Sequence, residues 1–536
     1  MSASATAAAD AKSDAAWRPK SNPWLIAVVV TIAAFMEILD TTIVNVALPH
    51  IAGSIGASYD DATWTLTSYL VANGIVLPIS GFIGRVVGRK RYFMLCIAGF
   101  VVFSFLCGTA TSLGQIVIYR LFQGICGGGL QPNQQAIILD TFEPKKRGSA
   151  FAVVAIAVIF APAIGPTLGG ILTDSYSWRW IFWINIPVGI FALFAVAAMV
   201  EDPPWVLRQK ARIIDADWIG IGLIAIGIGC LQVFMDRGED EDWFGSGFIT
   251  VMFAMAMVGI SGAVVWLTTV DKPVVNLKVF LDRNFALGAL MISGVGATLY
   301  SGAVLVPQLA QSELGYTATL AGLVLSPGAV AIVVLIPFVT KVLLPNVQTR
   351  YIIAFGFILI GCSYFYSSLI VVPTVSFRTL VYARIFQVLG LAFLFAPVST
   401  IAYTTLPRAL NNDASSLFVM LRNVMGSVGI SLATAGITER QQTHLAYLQP
   451  FMTPLYEPYV QLEQRIRGAM TSLGYGAGQI SQMVPQEINQ MFQGQASLLA
   501  YRDLFVYCGI AAFLVIPLTF LFSPSKAGGG GGGGGH

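Results

Sequence analysis

Charge is what this sequence has least of. Lys, Arg, Asp and Glu make up 11% of its 536 residues, against 56% hydrophobic. An ordinary soluble domain carries about 25% charged residues, so the balance points to a polytopic helical membrane protein. The net charge of +3 is too small to suggest a nucleic-acid partner. There is no C-x-x-C and no metal-ligand spacing. Cys96, Cys107, Cys126, Cys230, Cys362 and Cys508 all fall inside apolar runs and read as free thiols. Neither a metal nor a cofactor is expected, and no catalytic residues. A glycine-rich phosphate loop followed by Lys-Ser/Thr is also missing, so ATP is not the expected energy source. Residues 1–23 are polar and Ala/Ser-rich, with no cleavage pattern after them. The first apolar run is too long for a signal h-region and is expected to stay as an anchor.

What is abundant is apolar length. Runs recur at about 24–48, 62–84, 92–110, 114–138, 150–173, 179–200, 214–235, 246–270, 285–311, 318–340, 350–371, 379–403, 413–437 and 502–522. Each approaches the ~20 residues that cross a bilayer as a helix, which predicts fourteen spans and puts both termini on one side. Arg85, Arg89, Lys90, Arg91, Lys145, Lys146 and Arg147 lie in even-numbered loops, whereas the short odd-numbered loops hold Arg179, Arg237 and Arg378. The positive-inside rule then makes both termini cytoplasmic. Segment 438–500 is glutamine-rich and lacks a spanning run; it reads as short helices outside the membrane.

The first run carries two acids, Glu37 and Asp40. An ionised carboxylate inside a membrane helix costs on the order of 2.5–3.5 kcal/mol on insertion scales. Three residues apart, the two share one helix face and titrate as a unit. They are read as a proton site, with Asp40 the main coupling carboxylate and Glu37 modulating it. Arg120 in the fourth run lies at a like depth, which predicts an ion pair with Asp40, direct or through Gln123 or Glu37. Arg384 and Arg422 are further intramembrane cations. Either would make a cavity tolerant of anionic or weakly acidic substrates.

The chain also repeats itself. YRLFQG (119–124) matches ARIFQV (383–388), and both lead into a proline-punctuated helix. Pro78 precedes Arg91-Tyr92 by the same interval as Pro337 precedes Arg350-Tyr351. Helices 1–6 therefore map onto helices 9–14 in the same order. A parallel repeat of two six-helix halves is the arrangement of major facilitator transporters, with the substrate site between the halves. The expected division is a tail (1–23), a first half (24–200), a linker with two extra helices (201–284), a second half (285–522) including 438–500, and a Gly-rich tail (523–536).

In GPTLGG (165–170), Gly165 and Gly169 form a small-xxx-small face, Gly170 adds to it, and Pro162 and Pro166 permit a bend. A sliding contact of this helix with a helix of the other half would serve as a gate.

These motifs resemble those of the fourteen-helix drug:proton antiporters of the major facilitator superfamily, the EmrB/QacA type. LDTTIVNVALP (39–49) is similar to the family's first-helix motif, RLFQGICGGG (120–129) to its fourth-helix motif, and GPTLGG to the antiporter signature. WRWIFWINIPVG (178–189), MDRGEDEDWF (235–244) and GYTATLAGLVLSPG (315–328) extend the likeness. The resemblance implies a proton-coupled multidrug efflux pump of the bacterial inner membrane that takes hydrophobic small molecules and works by alternating access. It also implies two partners, a periplasmic EmrA-like adaptor and an outer-membrane TolC-like channel. Asn45, Tyr69, Gln123, Asn133, Tyr300, Gln308, Arg384, Gln387, Arg422 and Asn423 lie on helices that would face the cavity of this fold. The loop GFIGRVVGRKRYF (81–93) keeps Gly81, Gly88, Arg89 and Lys90 of the superfamily's cytoplasmic motif, but Arg85 stands where the motif has aspartate. This departure puts the usual charge relay between this loop and the thirteenth helix in question. A metabolite or siderophore exporter of the same fold is a second reading. A non-transporting receptor or channel is a third, and for a channel the repeat and the two acids count against it.

Overall fold

The computed structural model describes residues 17–208, 212, 216–407 and 410–523. Most of the expected N-terminal tail and the glycine run after 523 lie outside the described residues. The first half comprises α1 (Pro23–Ile55), α2 (Trp64–Val87), α3 (Arg89–Thr109), α4 (Leu113–Gly127), α5 (Leu130–Thr141), α6 (Pro144–Ser175) and α7 (Asn185–Met199). Between the halves come α8 (Trp218–Arg237) and α9 (Gly247–Thr269). The second half comprises α10 (Arg283–Ser312), α11 (Ala318–Phe338), α12 (Thr349–Ile370), α13 (Phe377–Ala392), α14 (Phe395–Ala402), α15 (Asn411–Leu448), α16 (Glu457–Ser472) and α17 (Ala477–Thr519).

Among the described residues, thirteen stretches are long and apolar enough to cross a membrane. The remaining expected span, at 114–138, is not one helix but α4 followed by α5. The twelfth span breaks likewise, between α13 and α14. The cause is the same in both: Pro132 and Pro397 lack an N–H for the carbonyl four residues back, at Gly128 and Phe393, where the helices part. The two breaks fall at nearly the same distance from the repeated Arg120 and Arg384.

The packing repeats as the sequence does. In the first half α1 packs on α6, α2 on α4, and α3 on both α4 and α7. In the second half α10 packs on α15, α11 on α13, and α12 on both α13 and α17. The halves meet along two equivalent seams, α6 with α11 and α2 with α15. The hairpin α8–α9 lies beside the second seam, with α8 touching both α2 and α15 and Gln232 donating to Ser427 at 2.9 Å.

Contacts between ends fix the sidedness. Arg18 pairs with Glu143 at 2.9 Å, and Arg147 at the start of α6 donates to the Tyr403 carbonyl of the other half at 3.5 Å. Asn284 donates to Thr404 at 3.5 Å and accepts from the Ser523 amide at 3.3 Å. The start of the first half and the end of the second thus lie on one face, called here the terminal face. Segment 438–500 differs from the expected short helices. It is built by extending its neighbours: α15 has 38 residues and α17 has 43. At 1.5 Å per residue they reach about 57 and 65 Å, well beyond the ~30 Å hydrocarbon core. Both run out past the opposite face, where α16 packs on α17 through Tyr459, Ile466 and Met470 against Ile480, Val484 and Ile488.

Candidate functional site

Small residues bring α2, α4 and α1 together. A Cβ on Gly124 would strike the Tyr69 carbonyl, and one on Gly128 would stand 2.8 Å from the Asn73 carbonyl. The backbones of α2 and α4 can therefore approach closely, which slides the Arg120 guanidinium under the Tyr69 ring at 4.1 Å. Arg120 and Asp40 are both fully buried, and Nη1 of the arginine lies 2.5 Å from Oδ2 of the aspartate. The pair predicted from helix depth is direct. Gln123 and Asn185 complete it, donating to Asp40 Oδ1 at 3.2 and 2.7 Å. Arg120 also donates to Gln123 at 2.9 Å and to the Thr65 carbonyl at 3.1 Å. A buried charge pair is tolerable only with such extra hydrogen bonds.

Glu37 forms a second centre one helical turn away. It accepts from Tyr69 at 3.2 Å, from Asn73 at 3.0 Å and from Gln131 at 2.5 Å. The other end of the Gln131 side chain accepts from Arg422 of α15. A carboxylate of the first half is thereby tied through one amide to a guanidinium of the second. Arg422 is further held by Asn423 at 3.1 Å, by Tyr300, and by the Phe395 ring at 5.6 Å. Tyr69 belongs to both centres, with its hydroxyl on Glu37 and its ring over Arg120.

Other expected residues fall elsewhere. Arg384 and Gln387 pair with each other at 2.5 Å inside the second half. Asn133 donates to the Gly129 carbonyl at 2.7 Å and caps the break in the fourth span. Asn45 is exposed on α1 and joins neither centre. Gln308 is half-buried, with its Oε1 unpartnered.

The gate glycines need a correction. α6 runs unbroken through Pro162 and Pro166, and Gly165 and Gly169 face α1 of their own half. A Cβ on Gly165 would hit Thr42, and one on Gly169 would meet the Ile43 carbonyl at 3.1 Å. The close approach to the other half is made instead by Thr167 against Gly322 of α11, with Gly170 3.6 Å from Thr319. At the terminal face Arg85 pairs with Asp413 at 2.6 Å across the second seam, and Ser80 contacts Ser416 at 3.0 Å. Gly88 links α2 to α3 at φ +95°, and Arg89 pairs with Asp140. The halves thus touch on both sides of the central network.

Asn73, Gln131, Asn185 and Asp413 are partners that the sequence reading missed. Asn185 stands inside a quoted motif, and a polar residue in an apolar run was its available signal. For Gln131 the signal was the polar cluster QPNQQ after the glycines.

Residues 30–430 match the model of the Major Facilitator Superfamily. The chain is 35% identical over 493 residues to the multidrug export protein EmrB of Escherichia coli (strain K12), covering 92% of this chain and 93% of that one. It is 33% identical to the fatty acid resistance protein FarB of Neisseria gonorrhoeae, covering 92% and 94%. In fold it is similar to the proton:xylose symporter XylE, with a TM-score of 0.57 at 14% identity over 94% of this chain and 99% of that one. Both the arrangement of the helices and the sequence relatives therefore lead to one assignment: this multi-pass membrane protein belongs to the Major Facilitator Superfamily, in its EmrB-type branch.

Proposed function

We propose that this protein exports hydrophobic small molecules across the bacterial inner membrane in exchange for protons. The observation that carries this reading is the pair of buried carboxylates on one face of α1, each with its own arginine: Asp40 directly on Arg120, and Glu37 through Gln131 on Arg422. Intramembrane acids in such company mark proton relays. An ionised Glu37 accepts from three donors. A proton on it turns one acceptor oxygen into a donor, so Gln131 loses its partner and the tie to Arg422 slackens. The two halves are then freer to part at this point. Asp40, held by Gln123 and Asn185 beside Arg120, is the second protonation site and the one that resets the cycle. One charge crossing 100 mV yields about 2.3 kcal/mol, enough to bias two closely balanced conformations.

The Lys/Arg distribution supports a cytoplasmic terminal face, which makes the opposite face periplasmic. There the protruding ends of α15 and α17, bridged by α16, offer a surface for a periplasmic adaptor that hands substrate to an outer-membrane channel. The relatives' names, multidrug export protein and fatty acid resistance protein, support drug-like and amphiphilic substrates. The test is substrate-induced proton movement in vesicles holding the purified protein, over a panel of hydrophobic cations, weak acids and uncouplers. Substrate movement that is indifferent to a pH gradient would rule out the exchange.

A further inference from the structure

Each half builds the same Arg–Gln couple, but only one is neutralised by the protein. In α4, Arg120 donates to Gln123, and Asp40 of α1 supplies the countercharge. In α13, Arg384 donates to Gln387 in the same way. Its neighbour α10 holds the place of α1 in the repeat, yet contains no Asp or Glu from Arg283 to Ser312. Among the described residues Arg384 has no carboxylate partner. It is 4% exposed, and its Nε is buried without a hydrogen-bond acceptor. A guanidinium left so is costly unless something completes it.

The surroundings show what would fit. Arg384 and Gln387 form the polar end of a recess whose wall is Val306, Leu309, Ile370, Leu380 and Phe505. Leu309 is near the end of α10 and Leu380 near the start of α13, so the recess lies toward the opposite face. Gly302 lets the α10 backbone lie against this polar end, since a Cβ there would stand 2.7 Å from Arg384 Nη1 and push the guanidinium aside. The recess is small, about 20 Å³, so it seats a head group and leaves the chain to its open apolar side. One convergent charged group in an apolar surround is the chemistry of a small-ligand site.

We propose that this recess binds a monoanionic amphiphile, whose anionic head group, carboxylate or phosphate, gives Arg384 the countercharge that Asp40 gives Arg120, and whose alkyl chain lies along the apolar wall. The site is separate from the Glu37–Gln131–Arg422 centre between the halves. Its role as a station for exported acids near the opposite face rests on the efflux reading above, but the binding itself does not. A free fatty acid and an anionic phospholipid share this chemistry.

The test uses the full chain in phosphatidylcholine nanodiscs with radiolabelled laurate at neutral pH. Laurate should bind saturably, and dodecyltrimethylammonium, with the same chain and the opposite charge, should not displace it. Arg384→Gln should weaken binding at least about ten-fold, the loss expected for a charge-assisted hydrogen bond, and Gly302→Val should do the same by filling the polar end. Equal displacement by the cation overturns the proposal in the wild-type protein, whatever the variants' folding. So does unchanged binding by both variants, or no saturable binding at all. Phosphatidylglycerol nanodiscs separate the sources: loss of laurate binding there identifies the lipid as the occupant, and retained binding identifies the free acid. Proton movement in sealed vesicles of the same lipids reports on the efflux reading independently. Binding without it leaves this site standing, and proton movement without binding removes only this site.

Discussion

Arg85 Nη1 lies 2.6 Å from Asp413 Oδ1, joining the end of α2 in one half to the start of α15 in the other. The superfamily motif has an aspartate at the position of Arg85, so here the positive member sits in the first half and the acid in the second. Both side chains are largely buried, at 17% and 5% exposure, and breaking such a pair by removing one partner costs about 3–5 kcal/mol. If this contact latches the terminal face, its loss populates an arrangement open on that face. Arg85→Asp should increase labelling of Ser416→Cys by an impermeant maleimide added from the terminal side, and stop transport. The exchange Arg85→Asp with Asp413→Arg should restore both. If the exchanged pair labels like the single variant, the ion pair is not the latch.

The two acids of α1 should separate in their effects. Asp40→Asn removes the countercharge of a fully buried arginine, and is expected to abolish proton-driven efflux while the protein still inserts. Glu37→Gln keeps the shape and one acceptor but cannot take up a proton, so the tie to Gln131 and Arg422 no longer responds to pH. Transport by this variant should persist at reduced rate with a flattened pH profile. The measurement is efflux against external pH at matched expression. Normal pumping by Asp40→Asn, with Glu37→Gln dead, reverses the roles. Unchanged profiles for both remove α1 as the coupling element.

The glycines of α6 should differ according to which helix they face. Gly169→Ala puts a methyl 3.1 Å from the Ile43 carbonyl, a backbone atom of the helix that carries Asp40. Overpacking of this kind costs about 1–3 kcal/mol, so a lower melting temperature and weaker transport are expected, and Gly169→Leu should be inactive. Gly170→Ala meets only the Thr319 hydroxyl at 3.6 Å, an ordinary contact, and should be near wild type. The reverse order in a thermal melt would mean that α6 rides on α11 rather than on α1 at this depth.

The protruding helices can be trimmed without touching the membrane core. Deleting 450–495 removes α16 and the start of α17 but spares the Arg440–Asp503 pair at 2.6 Å and the Ser497–Glu313 hydrogen bond at 2.7 Å. The shortened protein should fold and keep substrate-driven proton movement in vesicles, and lose co-purification with the proposed adaptor. Adaptor binding at full yield after the deletion would show that docking lies elsewhere.

The sequence by itself determined the class, the repeat and the approach of Arg120 to Asp40; that the pair is direct came from the structure. Those follow from local quantities: apolar length against a fixed bilayer thickness, charge that must be paired in a low-dielectric medium, and depth counted at a fixed rise per residue. The breaks at Gly128 and Phe393 were also present locally, as Pro132 and Pro397 four residues on, although the apolar runs masked them. Only the tertiary structure decided which helix each face meets. Small residues at 165 and 169 announce a close contact but do not say with what, and the packing gave them to Thr42 and Ile43. Polar side chains such as Gln131 and Asn185 acquire partners only when helices distant in sequence converge. The inverted Arg85–Asp413 pair likewise needed the second seam in place, because a charge on one helix carries no information about the charge that folding will bring opposite it.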